Sequence, residues 1–273
     1  MNPVFKWHRL RRQRSDVAFD RDNLISGTCL GASMEIDLRV LGDGDFLCLH
    51  DATLDRETTG AGPVADTTAT ATRHLSIRRE DGWIAARPPL LFSELVAAMR
   101  LAPAGSGALM QLDFKDDIAS LSQDHFDRFG SLLADCADRF ILSGGDAAGL
   151  RRLADGLPAL RIGYDPCADD TQLSLRRSKA FGRFARGAIT AAPYAAYVYI
   201  EYPIILLGLE EGFDLVAGFQ AAGMKVDAYT LNSDHPDVET TLKRLTDAGV
   251  DQITTDEPDV LAPLLELIIR QTA

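Results

Sequence analysis

The chain has 273 residues, of which 46% are apolar and 25% charged, with a net charge of −12. That composition excludes a disordered chain, and the negative charge argues against a nucleic-acid partner. The longest apolar run, 197–209, contains Glu201 and Pro203 and is too short to span a bilayer, so no stable membrane insertion is expected.

The stretch up to Arg14 has scattered Lys and Arg and no apolar run of signal-peptide length. Cys29, Cys48, Cys136 and Cys167 show no close paired spacing, which reads as reduced thiols and not as a disulfide framework or a zinc site. The expectation is a cytoplasmic protein with one domain over 1–273.

In chain order, residues 3–8 read as a short strand ending at His8. The basic run 9–14 follows, then a loop and short helix over 20–31. Residues 34–51 read as a strand, a tight turn and a returning strand. Glu35 and Asp37 alternate with Ile36 and Leu38, so both carboxylates share one face and the apolar pair the other. With Gly42-Asp43 as a two-residue loop, Leu41 faces Gly44, Asp37 faces Cys48, and Glu35 faces His50. Two acids and an imidazole on one patch suit a hard cation with a proton-transfer group beside it. A solvated hairpin face fits the same pattern.

Residues 58–63 are turn-rich. Helices are expected over 67–75 and 92–100, and a strand over 108–115 in which Asp113 and Lys115 share a face. A helix over 126–134, a strand over 139–143 and a helix over 147–153 follow. Next come a strand over 160–164, a basic helix over 173–186, a strand over 195–202 and a helix over 212–222. The chain closes with strands over 225–231 and 251–255 and helices over 238–248 and 260–270.

Eight strands alternating with helices point to an α/β fold, a (β/α)₈ TIM barrel with a small β-hairpin extension after strand 2. An open doubly wound sheet is the alternative, but no Gly-x-Gly-x-x-Gly follows the first strand. In a barrel, chemistry gathers at the C-terminal strand ends, where His8, Glu35, Asp37, Asp113 and Lys115 all lie.

His8-Arg9, Glu35-Ile36-Asp37 and His50-Asp51 resemble, in order and spacing, the His-Arg, Glu-x-Asp and His-Asp signature of the glycerophosphodiester phosphodiesterases. Residues 54–62 are similar to the stretch after that His-Asp. Gln111-Leu112-Asp113-Phe114-Lys115 resembles the family's Glu-x-Lys strand with Asp113 in place of Glu. Tyr229-Thr230-Leu231-Asn232 resembles its Trp-Thr-x-Asn strand, and 249–258 its closing strand.

The resemblance implies a TIM barrel with one divalent cation, Mg²⁺ or Ca²⁺, ligated by Glu35, Asp37 and Asp113. It implies His8 and His50 as the acid–base pair and Arg9 and Lys115 as phosphate holders. The implied substrate is a small-molecule glycerophosphodiester, cleaved to glycerol 3-phosphate and an alcohol. The alternatives are the same chemistry on a sugar phosphodiester or lysophospholipid, including a lyase route through a cyclic phosphate, or a catalytically weak binding barrel.

The sequence departs from the family pattern at Leu10, where Gly is usual, and at Val17-Ala18-Phe19, where Glu-Asn-Thr is usual. Asp22-Asn23 is read as a displaced remnant of the latter, and the basic run beyond Arg9 as a solvated loop.

Overall fold

The computed structural model describes residues 2–103 and 107–272. Its strands are β1 (Val4–Trp7), β2 (Ser33–Val40), β3 (Phe46–Cys48), β4 (Leu109–Phe114), β5 (Phe140–Ser143), β6 (Arg161–Tyr164), β7 (Tyr197–Glu201), β8 (Lys225–Tyr229) and β9 (Gln252–Thr255). All except β3 pair in parallel, and β1 pairs with both β2 and β9, which closes an eight-stranded barrel. β3 runs antiparallel to β2. β1 pairs with β2 only at Ser33 and Met34, and β3 takes over from Leu38 to Val40, where β2 projects beyond the barrel rim.

The helices are α1 (Arg21–Leu30), α2 (Ala69–Thr72), α3 (Phe92–Arg100), α4 (Gln123–Leu133), α5 (Ala147–Leu153), α6 (Thr171–Ser178), α7 (Phe181–Ala191), α8 (Tyr202–Glu210), α9 (Leu215–Ala221), α10 (Val238–Asp247) and α11 (Pro258–Thr272). Among the described residues, no helix is long and apolar enough to cross a membrane.

Strand alternation sorts the side chains into two shells. Met34, Ile36, Leu38, Met110, Leu112 and Phe114 pack with Leu95, Val96, Phe129 and Leu133 of α3 and α4. Val198, Ile200, Val226 and Ala228 pack likewise with residues of α7 to α11. The opposite shell, inside the barrel, is polar: Lys6, Gln111, Ser143, Asp227 and Thr254 are all buried. A barrel interior is more often filled by branched apolar side chains. The Tyr199 ring also lies here, with the Lys6 ammonium 4.4 Å from its centroid.

Three expectations need correction. The hairpin loop has three residues, not two: Leu41 N–H donates to Asp45 O at 2.9 Å, and Gly44 takes φ +87°. That conformation suits glycine and closes a three-residue loop. The register therefore shifts by one, and Cys48 faces Leu38, not Asp37. A one-residue slip exchanges the two faces of a strand. Glu35 thus has no partner on β3, and His50 lies beyond its end.

The basic helix over 173–186 is two helices. Lys179 takes φ 53° and ends α6, and α7 restarts with Phe181 buried against the Phe213 ring. Finally, Tyr202-Pro203 does not end a strand but opens α8. Pro203 sits in the first turn, where its missing N–H costs nothing. The apolar run 204–209 has no polar period to betray a helix.

Gly163 on β6 leaves room for the Tyr199 ring, since a Cβ there would lie 2.5 Å from Tyr199 Cε2. Gly163→Ala is expected to destabilise the fold by about 1–3 kcal/mol, the usual penalty for overpacking. Denaturant unfolding measures it, and an unchanged midpoint would mean the ring moves aside freely.

Candidate active site

Register places the acidic residues. β2 and β4 pair with Glu35 beside Gln111 and Asp37 beside Asp113. Alternation turns Glu35, Asp37 and Asp113 to the barrel axis, where one oxygen of each lies within 4.8 Å of the others. Glu35 and Asp37 are buried, and Asp113 is partly exposed. Together with His8, Arg9, His50 and Lys115 they line a pocket of about 310 Å³ at the C-terminal rim. All seven residues singled out in the sequence meet there.

His8 follows β1 directly. Its Nδ1 lies 2.9 Å from Asp256 Oδ1, and its Nε2 lies 4.0 Å from Glu35 Oε2. Arg9 has φ 51° and Leu10 φ 61°, so the turn takes the left-handed form even with leucine in the usual glycine position. Such a conformation costs a non-glycine residue about 1–2 kcal/mol, and complete burial of the Leu10 side chain offsets part of it. The turn aims Arg9 N–H at Glu35 Oε2, 2.9 Å away.

His50 reaches the pocket by a different route from the expected cross-strand pair. Its carbonyl accepts from Arg39 Nε at 2.8 Å and Nη2 at 2.6 Å, and its N–H donates to Glu57 Oε2 at 3.1 Å. Its Nδ1 lies 2.9 Å from Asp51 Oδ1. Arg56 donates twice to Asp51 and holds its carboxyl well below the usual range. Both histidines thus have a carboxylate on Nδ1.

Arg9 Nε lies 2.9 Å from Asp37 Oδ2, without hydrogen-bond geometry, which leaves that oxygen buried and without a hydrogen-bond partner. Lys115 Nζ lies 3.0 Å from Asp37 Oδ1 and is also paired with Asp113. Burial would raise the Asp37 carboxyl, but Lys115 and Arg9 outweigh it and hold it low. Glu35 is pushed up to about 7, by burial first and then by the charge of Asp37. A buried carboxylate oxygen that faces Arg9 but has no hydrogen-bond partner among the described residues, amid three converging carboxylates, is a donor set that a hard cation satisfies.

Several contributors escaped the sequence reading. Asp256 accepts from His8, from Arg11 at 3.1 Å and from Asn232 at 2.9 Å. Burial would raise its carboxyl, and the His8 bond, then the charges of His8 and Arg11, hold it low. The Thr-Asp-Glu-Pro stretch was its one signal. Arg11 is buried, so the run beyond Arg9 is not simply solvated. Asp165, beyond β6, accepts from Tyr229 at 2.8 Å and lines the same pocket. Burial pushes its carboxyl up to about 7. Asp22 and Asn23 do not reach the pocket: their N–H groups donate to Asp20, which caps α1.

The sequence model of the glycerophosphoryl diester phosphodiesterase family matches residues 29–260. A search of the curated proteins found no match. Among solved structures, an Oleispira antarctica phosphodiesterase in complex with the product sn-glycerol-3-phosphate is 18% identical, with a TM-score of 0.67 over 97% of this chain and 97% of that one. A glycerophosphodiester phosphodiesterase from Agrobacterium tumefaciens is 18% identical, with a TM-score of 0.67 over 97% and 99% of the two chains. One from Thermotoga maritima is 16% identical, with a TM-score of 0.67 over 97% and 99%. At these identities the likeness shows a shared fold.

Because the Glu35 carboxyl sits near 7, the folded chain keeps a proton that the unfolded chain releases between the ordinary Glu range and that value. Stability from this group is present below that window and is lost as pH rises through it. In cation-free protein, Glu35→Gln is expected to raise stability at pH 8 and to change it little at pH 4. Unfolding at the two pH values tests this, and a less stable variant at pH 8 contradicts it.

Proposed function

The chain belongs to the glycerophosphoryl diester phosphodiesterase family, and we propose that it hydrolyses glycerophosphodiesters to glycerol 3-phosphate and an alcohol, its 273 residues acting as one catalytic domain. A divalent cation, Mg²⁺ or Ca²⁺, would be held by Glu35, Asp37 and Asp113. The observation that carries this reading is the meeting of those carboxylates, one with a buried oxygen that has no hydrogen-bond partner among the described residues, in a pocket shared with two carboxylate-held histidines. Oxygen ligands suit Mg²⁺ or Ca²⁺, whereas zinc favours nitrogen and sulfur. The Oleispira antarctica phosphodiesterase solved with sn-glycerol-3-phosphate supports the glycerol 3-phosphate side of the reading.

Once bound, the cation supplies positive charge where the phosphoryl oxygens gather negative charge in the transition state. Arg9 and Lys115, paired with Asp37 and Asp113 in the free protein, would turn part of their charge to the diester. His8 and His50 would divide the proton traffic. One imidazole deprotonates the attacking water, and the other protonates the leaving alcohol. Asp256 and Asp51 fix each ring through Nδ1 and leave Nε2 to exchange the proton.

A panel of glycerophosphocholine, glycerophosphoethanolamine, a sugar phosphodiester and a lysophospholipid, assayed for glycerol 3-phosphate and for cyclic phosphate, tests the substrate. Glycerol 3-phosphate from the first two is expected. Turnover confined to the sugar diester or lysophospholipid would replace this substrate, and a cyclic product would make the enzyme a lyase. EDTA should abolish activity, and Mg²⁺ or Ca²⁺ should restore it. Full turnover of the stripped protein would rule out the cation.

His8→Ala and His50→Ala should each lower kcat by roughly 10²–10⁴. Their effects should not multiply, because both act in one transition state. A p-nitrophenyl leaving group should partly rescue only the variant that lacks the acid. Near-normal turnover by His8→Ala on every active diester would end the two-histidine mechanism.

A further inference from the structure

A hydrogen-bonded chain crosses the barrel interior beneath the carboxylates. Lys6 on β1 lies 2.8 Å from Asp227 Oδ2 on β8 and donates to Gln111 Oε1 on β4. Gln111 Nε2 donates to Ser143 Oγ on β5 at 2.9 Å. Ser143 Oγ donates to Asp113 Oδ1 at 3.0 Å. Lys6, Gln111, Ser143 and Asp227 are all buried. On the far side, Thr254 Oγ1 donates to Asp227 Oδ1 at 2.6 Å.

The chain has one direction, and Lys6 sets it. An ammonium group only donates, so the Gln111 oxygen must face it and the Gln111 amide nitrogen must face Ser143. Ser143 Oγ then accepts a hydrogen bond from Gln111 Nε2 and directs its own hydrogen elsewhere. Its two acceptors are Asp113 Oδ1 at 3.0 Å and Leu112 O at 3.4 Å. The carboxylate is closer and charged, which makes it the stronger acceptor.

We infer that Ser143 and Gln111, oriented by Lys6, are positioning residues that hold Asp113 in place as a cation ligand. This inference rests on the proposed role of Asp113. Among the described residues, the one cation paired with Asp113 is Lys115, which it shares with Asp37. When Lys115 turns to a phosphate, the Ser143 bond is what remains to fix the carboxylate. A long lysine side chain is a mobile tether, whereas a serine at the end of a barrel strand is a rigid one. Burying Lys6 and Asp227 carries a desolvation penalty that a branched apolar filling would avoid. The hydrogen bonds behind a metal ligand are the feature whose loss weakens cation affinity by about 10–100-fold.

The test is calorimetric titration of MgCl₂ and CaCl₂ into the EDTA-stripped full chain, with thermal unfolding of each variant recorded alongside. Asp113→Ala checks the underlying reading. If wild type binds neither cation, or Asp113→Ala binds as tightly as wild type, Asp113 is not a ligand and the inference falls with that role. If Asp113→Ala binds weakly, the remaining variants decide. Ser143→Ala should bind about 10–100-fold more weakly. Ser143→Thr, which keeps the hydroxyl, should bind near the wild-type level. Gln111→Leu should also weaken binding, and the Ser143→Ala/Gln111→Leu pair should be no weaker than Ser143→Ala, since both break one chain.

Lys6→Met alone leaves Asp227 as a buried unpaired charge, so that step is tested as Lys6→Met/Asp227→Asn. This pair should weaken binding while Ser143 is intact. Ser143→Ala binding within twofold of wild type would overturn the inference. So would independent, multiplying effects of Ser143→Ala and Gln111→Leu.

Discussion

Glu35 and Asp37 on β2 and Asp113 on β4 bring their oxygens within 4.8 Å of one another at the barrel rim. At that range, away from bulk water, like charges repel strongly. The surrounding groups answer this repulsion. Arg9 and Lys115 lie against Asp37, Lys115 also against Asp113, and the Arg9 amide against Glu35. Glu35 is still pushed up to about 7, by burial first and then by the charge of Asp37. An added cation would offset the repulsion among these carboxylates.

The position of each charged group depends on backbone constraints elsewhere. His8 and Arg9 are aimed by a left-handed turn, locked in part by the buried Leu10 side chain. His50 is placed by Arg39, which also donates to Lys115 O at 3.1 Å and Asp116 Oδ1 at 2.8 Å, and so ties the ends of β3 and β4 together. Phe46 seats β3 against α3 and α4 through edge contacts with Phe92 at 5.8 Å and Phe129 at 5.9 Å. The hairpin is therefore an anchored bracket for His50. Aromatic pairs of this kind contribute about 0.5–1.5 kcal/mol beyond their burial.

Beneath the rim, polar side chains fill the barrel interior. In water Lys6 and Asp227 would gain little from pairing. Inside the barrel each is the main charged partner of the other, and both are tied into neighbouring strands. This arrangement gives up apolar packing for directed hydrogen bonds that end on Asp113.

The sequence by itself determined the barrel, because strand and helix periods alternate along the chain and survive any local error. It also brought His8, Arg9, Glu35, Asp37, His50, Asp113 and Lys115 to one pocket, since motifs at the C-terminal ends of parallel barrel strands converge on one rim. It could not determine the hairpin register, because Gly42-Asp43-Gly44 suits a two-residue loop at its first pair and a three-residue loop as a whole, and the structure takes the second with Gly44 at φ +87°. It could not show that His50 is placed by Arg39, or that Asp256 and Arg11 stand behind His8. Those contacts join residues far apart in the chain: His8 and Asp256 are 248 positions apart. The Lys6 chain was equally hidden. A lysine in a strand reads as solvent-facing until barrel closure leaves it no water and sets Asp227 and Gln111 beside it.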